Sequence, residues 1–252
     1  MQRKIVALQA MKAASVFLKK EFRNGHSGTK KTDGTLVSVA DHGSEKRILS
    51  MLRKTFPEDA IFSEESGQTP GTSGYRWILD PLDGTHNFLA GIPIFGILLA
   101  LQKNSETILS FCVFPMFDEY FVAEKGKGAT LNGKRIRVSK ATSLEDSVFL
   151  ADGNRNLQFR ETMKDIQAFQ ASGCRFRFLG EGPFGMTRIA LGTALVAVLR
   201  FGKMWDIAAP ALLVQEAGGK VTDMNGKALG TQPSELVATN GVLHKQALSM
   251  LA

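Results

Sequence analysis

The run Asp80-Pro-Leu-Asp-Gly-Thr85 places two carboxylates and a hydroxyl side by side. Pro81 fixes its own φ and keeps Asp80 extended, while Gly84 lets the chain fold sharply. Asp80 and Asp83 can then aim at one spot with the Leu82 carbonyl between them, a set of hard oxygen donors that suits magnesium. Gly84, Thr85 and the amides that follow can open a short helix whose N–H groups face a phosphate. Other acids also stand at predicted element ends: Glu64 and Glu65 in Ser63-Glu-Glu-Ser66, Asp206 after Trp205, and Asp41 after Leu36-Val-Ser-Val39. Asp-Pro and Asp-Gly are also ordinary turn formers, and a lone dipeptide would need no other explanation. Carboxylates brought within about 4 Å, however, repel by several kcal/mol at low effective dielectric unless cations neutralise them. Convergence of these acids predicts a metal site; dispersal predicts surface charges.

The elements that must position them follow from periodicity. Residues 3–23 carry one apolar stripe among lysines and predict a helix ending at Asn24-Gly25, followed by a polar loop over 28–34. A second helix is expected from His42 to Thr55, before Pro57. Short strands follow at 60–63, 75–79, 93–102, 107–114 and 119–123, with hairpin-type turns at Gly126-Lys-Gly128 and Asn132-Gly133. Beyond residue 145 the rhythm changes. Strands at 147–151, 175–179, 194–199, 220–222 and 236–239 alternate with helices at 156–171, 183–191 and 205–217. This mixture predicts helices layered on sheets, with residues 1–145 as an α+β subdomain and 146–252 as an α/β subdomain of one catalytic unit.

Composition narrows the function classes. The chain has 252 residues, 44% of them hydrophobic and 22% charged, a profile that excludes disorder and fibres. Its formal charge of +7 is spread out, with Lys134-Arg-Ile-Arg137 the nearest thing to a basic block. No basic stripe interleaved with aromatics is present, so an anionic small molecule is a better partner than nucleic acid. Cys112 and Cys174 have no metal-binding spacing and read as buried thiols of a reducing compartment. The longest apolar stretch, 92–101, is broken by Pro93 and Gly96 and is too short to span a bilayer. A cytoplasmic protein is expected.

Several segments, in order, resemble the inositol monophosphatase superfamily: Phe62-Ser-Glu-Glu-Ser66, Trp77-Ile-Leu-Asp-Pro-Leu-Asp-Gly-Thr-His-Asn-Phe88 and Trp205-Asp-Ile-Ala-Ala-Pro210 running on to Gly219. The likeness extends to Lys30 with Asp41, to Glu124–Ala129 with Asn132-Gly133, and to Ala238-Thr-Asn240. It implies a layered α-β-α-β-α sandwich, a homodimer, lithium sensitivity, and two or three magnesium ions. By motif position, Glu64, Asp80 and the Leu82 carbonyl would hold the first ion, and Asp80, Asp83 and Asp206 the second. Asp41, with Glu64 again, would serve a third. Glu64 and Thr85, with Asp83, would be the catalytic residues, and water activated by magnesium would attack phosphorus. Gly84, Thr85, His86, Lys30, Arg200 and Lys203 are the candidate substrate contacts.

The chain departs from the pattern at its substrate end. Ser63 replaces a glycine, and Leu199 stands where the inositol enzymes carry a glutamate for ring hydroxyls. Arg200 and Lys203 add positive charge beside it, which suits a substrate with a second anionic group; a solvent-facing Arg200 is the competing reading. Gly180-Glu-Gly-Pro-Phe184 replaces the segment that often contacts the ring. Inositol monophosphate is the default substrate, with 3′-phosphoadenosine 5′-phosphate, fructose 1,6-bisphosphate and histidinol phosphate as alternatives. A reading of another class is a non-catalytic family member that binds RNA or RNA polymerase.

Overall fold

The computed structural model describes the chain except residues 1, 26, 31–35, 146, 153–156, 201 and 252 and the side chains of 157–159. The long helix α1 (Gln2–Asn24) and α2 (Val39–Thr55) pack together on one face of an eight-stranded sheet. Between them, β1 (Gly28–Lys30) and β2 (Leu36–Ser38) form an antiparallel ribbon where part of the loop over 28–34 was expected; residues 31–34 of that loop lie outside the described residues. The large sheet contains β3 (Ala60–Ser63), β4 (Gly67–Thr69), β5 (Tyr75–Asp83), β6 (Gly96–Lys103), β7 (Glu106–Phe114), β8 (Glu119–Glu124), β9 (Gly128–Leu131) and β10 (Lys134–Arg135). Its pairings are antiparallel except for β3 with β5.

Residues alternating along β6 explain the layering. Ile97, Leu99 and Leu101 join α1 and α2 in one core, while Leu98 and Ala100 face the opposite core. A sheet apolar on both faces must be covered on both.

The second cover is a pair of helices, α5 (Gly182–Leu191) and α6 (Met204–Glu216). Behind them lies a five-stranded sheet ordered β12 (Arg175–Phe178), β11 (Val148–Asp152), β13 (Val196–Arg200), β15 (Glu235–Thr239), β14 (Lys220–Thr222). Helices α4 (Leu157–Ala171) and α7 (His244–Met250) close its outer face through Phe149, Val196, Val198, Phe169 and Ala247. The order of layers is α-β-α-β-α, as expected. The start of the predicted helix at 156 lies outside the described residues.

Two local expectations are corrected. Helix α2 begins three residues early, because Ser38 caps it: the Ser38 hydroxyl accepts from the Ala40 amide at 3.1 Å, and Asp41 Oδ2 accepts from the Ser38 amide at 2.7 Å. The expected turn at Asp80–Asp83 is instead the end of β5, with a register shift between Asp80 and Asp83 against β6. A bulge of this kind tolerates Pro81, which has no amide to give the ladder. Both cysteines are buried, as expected, and neither is in a disulfide. No helix among the described residues is long and apolar enough to cross a membrane.

Candidate active site

The acids converge. Asp80, Asp83 and Asp206 each offer a carboxylate oxygen, and these atoms lie within 4.8 Å of one another. Asp80 and Asp83 ride on the bulged end of β5, and Asp206 on the first turn of α6 in the layer between the sheets. Asp80 is buried and accepts the Leu82 amide at 3.0 Å. Asp206 accepts the Lys203 amide at 2.6 Å, which holds its carboxyl at the helix start. Asp83 Oδ2 is buried with no hydrogen-bond partner. Glu64 follows β3, its amide donating to the Leu79 carbonyl at 3.0 Å. Its charge bears on both Asp80 and Asp206.

Burial drives the titration of this cluster. The Asp80 carboxyl is raised well above the ordinary carboxylate range, first by burial and then by the charges of Glu64, Asp206 and Asp41. Asp206 is pushed up to about 7, again by burial first, with the Lys203 amide opposing it and Glu64 and Asp152 adding to it. Buried carboxylates that raise one another, one with an orphaned oxygen, are the donor set of a hard divalent cation. The residues therefore fit a hard divalent cation.

Helix α2 builds the flank of the site. Its residues Asp41, Ser44 and Glu45 fall on one face, at i, i+3 and i+4, and all are buried. Ser44 donates its hydroxyl to the Pro81 carbonyl at 2.7 Å, pinning the bulge. Glu45 Oε1 accepts from Ser63 Oγ at 2.6 Å, Ser66 Oγ at 2.8 Å and the Ser66 amide at 3.0 Å, which shapes the turn holding Glu64 and Glu65. Ser63, the departure from glycine, is thus a hydrogen-bond donor. Sequence reasoning missed Ser44 and Glu45; their signal was a polar stripe in register with Asp41.

Asp41 and Thr85 form a pair. The Thr85 hydroxyl lies 3.0 Å from Asp41 Oδ1 and 3.0 Å from the Leu82 carbonyl. Its single proton donates to one of these acceptors, which leaves oxygen lone pairs to accept from a third group. Asp41 is raised by burial, against hydrogen bonds from Ser38 and Thr85. Gly84 precedes Thr85 at φ 80°, ψ 34° and caps the short helix α3 (Thr85–Leu89). A Cβ there would lie 3.1 Å from the Ile94 carbonyl oxygen and 3.2 Å from Glu181 Cγ, so glycine is required by conformation and by space.

The candidate substrate contacts divide. His86 and Lys203 are exposed, on the turns that carry Thr85 and Asp206. Lys30 is exposed on β1, paired with Leu36. Arg200 is committed elsewhere: Nε and Nη2 donate to Asp165 of α4 at 2.8 and 3.0 Å, and Nη1 lies 3.5 Å from Glu235. A guanidinium so engaged ties α4 to the second sheet and is not a free anion receptor.

Layered sheets with an acid cluster where β5 meets α6 define a class of protein. Residues 2–252 match the inositol monophosphatase family model, and the chain belongs to that family. It is 35% identical over 216 residues, 86% of this chain and 82% of the relative, to a fructose-1,6-bisphosphatase/inositol-1-monophosphatase of Thermotoga maritima. It is 32% identical over 260 residues, 98% of this chain and 94% of the relative, to the Nus factor SuhB of Pseudomonas aeruginosa. The solved structure of the extragenic suppressor protein suhB from Bartonella henselae superposes with a TM-score of 0.95 at 31% identity, covering 100% of this chain and 98% of that one.

Proposed function

We propose that the chain is a magnesium-dependent phosphomonoesterase that hydrolyses a small phosphorylated alcohol by direct attack of water. The observation that carries this reading is the convergence of Asp80, Asp83 and Asp206, with Glu64 beside them. Glu64, Asp80, the Leu82 carbonyl, Asp83 and Asp206 would hold the ions, with Asp41 near a third. When bound, the ions supply Lewis-acid polarisation of the phosphoryl group and ease the ionisation of water.

The protein's own groups do the rest. Asp41 holds the Thr85 proton, so the Thr85 oxygen presents a lone pair that orients the attacking water and takes up its proton density, with Glu64 alongside. The first amides of α3 have no partner within the helix and would bind phosphate oxygens. Inositol monophosphate is the default substrate of the resemblance, but Leu199 offers no acceptor for ring hydroxyls. The likeness to a Nus factor supports a second reading, a partner of RNA or RNA polymerase, alongside catalysis or instead of it. Phosphate release from a panel of monoesters with and without magnesium tests the first reading. Hydrolysis that persists in chelator, or none on any ester, would overturn it.

A further inference from the structure

We infer that a cleft along α6, separate from the acid cluster, binds a small carboxylate with an apolar body, and that Arg76 receives the carboxylate.

The cleft has a volume of about 490 Å³, inside the range of roughly 300–1,000 Å³ usual for small-molecule sites. Its floor is a stripe of α6, Met204, Ile207, Ala208, Ala211 and Leu212, spaced as one face of a helix. The β6–β7 hairpin forms one wall, and the segment after β14 forms the other, with Leu229 packed against the core. A built turn leads into that second wall: Asp223 Oδ1 accepts the Asn225 and Lys227 amides at 2.9 and 2.8 Å. None of the residues that would hold ions or phosphate is among the described residues lining the cleft.

Arg76 supplies the charge. It shares a face of β5 with Ile78 and Asp80, and Ile78 belongs to the core against α6. Four residues of strand separate Arg76 from Asp80, about 13 Å. Arg76 is half-buried, and its Nε and Nη2 donate to Gln102 Oε1 on the facing strand β6 at 3.2 and 2.6 Å. Gln102 Nε2 donates in turn to Thr107 Oγ1 at 3.2 Å, which turns the amide oxygen toward the guanidinium.

That acceptor is neutral. Among the described residues no carboxylate pairs with Arg76, and its Nη1 has no acceptor. The carboxylates of the cleft are committed: Glu106 pairs with Lys125, and Glu216 accepts the Gly126 and Gly128 amides at 2.7 Å each. A permanently charged guanidinium, oriented by a neutral amide over an apolar floor, is a receptor for an anion brought from outside.

The chemistry of the occupant follows. A carboxylate matches one guanidinium edge and balances one charge. A phosphate dianion would bring a second charge toward Glu106 and Glu216, with no free cation to meet it. A neutral apolar molecule would cover the floor and leave the guanidinium unanswered.

The probe is octanoate, titrated calorimetrically into the full chain in magnesium and again in chelator. One saturable site per chain is expected in both, with Kd below about 1 mM. Octanamide, which keeps the shape and lacks the charge, should bind about 10- to 100-fold more weakly, the value of a charge-assisted hydrogen bond. Octanoate should lose affinity for Arg76→Gln by the same factor. Acetate, which keeps the charge and lacks the body, should not saturate the chain in this range. Gln215→Trp, on the exposed edge of the cleft, should block octanoate by filling the space above the floor. No saturable site, equal affinity for octanoate and octanamide or acetate, or undiminished binding in either variant would overturn the inference. Binding that requires magnesium would overturn it too, because octanoate would then be a ligand of the metal. The comparison of ligands on wild type decides even if a variant does not fold.

Discussion

Replacing Asp206 by asparagine should stabilise the metal-free protein while abolishing turnover. Burial, with the charges of Glu64 and Asp152 behind it, lifts the Asp206 carboxyl from 3.8 to about 7 against the pull of the Lys203 amide. A shift of that size corresponds to a penalty of up to about 4 kcal/mol once the group is ionised. The sign follows from proton counting. Between pH 3.8 and about 7 the folded state keeps a proton that the unfolded chain has released, so stability falls as pH rises through this window and levels off above it. Asparagine never ionises, yet its side-chain oxygen can still accept the Lys203 amide. In chelator at pH 8 the variant should therefore melt higher, by up to about 8–16 °C for a chain of this size. Below pH 4 the advantage should vanish. Magnesium should raise the wild-type midpoint most at high pH and the variant's far less. Thermal unfolding at pH 4, 6 and 8, with chelator or magnesium, reads all of this. A variant less stable than wild type at pH 8 in chelator, or a difference independent of pH, would refute the reasoning.

Thr85→Ala and Asp41→Asn should each lower kcat by about 10²- to 10³-fold with little change in KM, and Thr85→Ser should keep most of the activity; steady-state kinetics on one ester suffices. Arg200→Met leaves Asp165 buried without its cation and should cost about 3–5 kcal/mol in chemical denaturation, with KM unchanged. A raised KM at undiminished stability would instead make Arg200 a substrate contact. Gly84→Ala should lose about 1–2 kcal/mol from its left-handed backbone, with further loss from crowding against Ile94 and Glu181, read as a lower melting temperature and a reduced kcat.

The acids of the site were legible because each stands where hydrophobic periodicity stops, and helices layered on sheets were legible from the mixed rhythm of the chain, whereas the order of the layers came from the family resemblance. The rest failed where an answer depended on a partner distant in sequence. Arg200 reads as free charge until Asp165, on another helix, is seen to take it. Pro81 reads as a turn until Ser44 is seen to hold its carbonyl and β5 to continue through it. Ser38 lies inside an apolar alternation and so hid the start of α2. The orphaned oxygen of Asp83 has no sequence signature, since satisfaction of a polar atom is a property of packing.

Asp83 closes a strand of the first sheet, and Asp206 opens the helix that separates it from the second. An ion gripped by both would be a clasp on the chain, closing a loop of about 120 residues much as a cross-link does. Occupancy of the site would then be felt mechanically, far from any substrate. Amide exchange along α6 should slow when magnesium is added, and the seam between the two halves should be the first place to open when it is withdrawn.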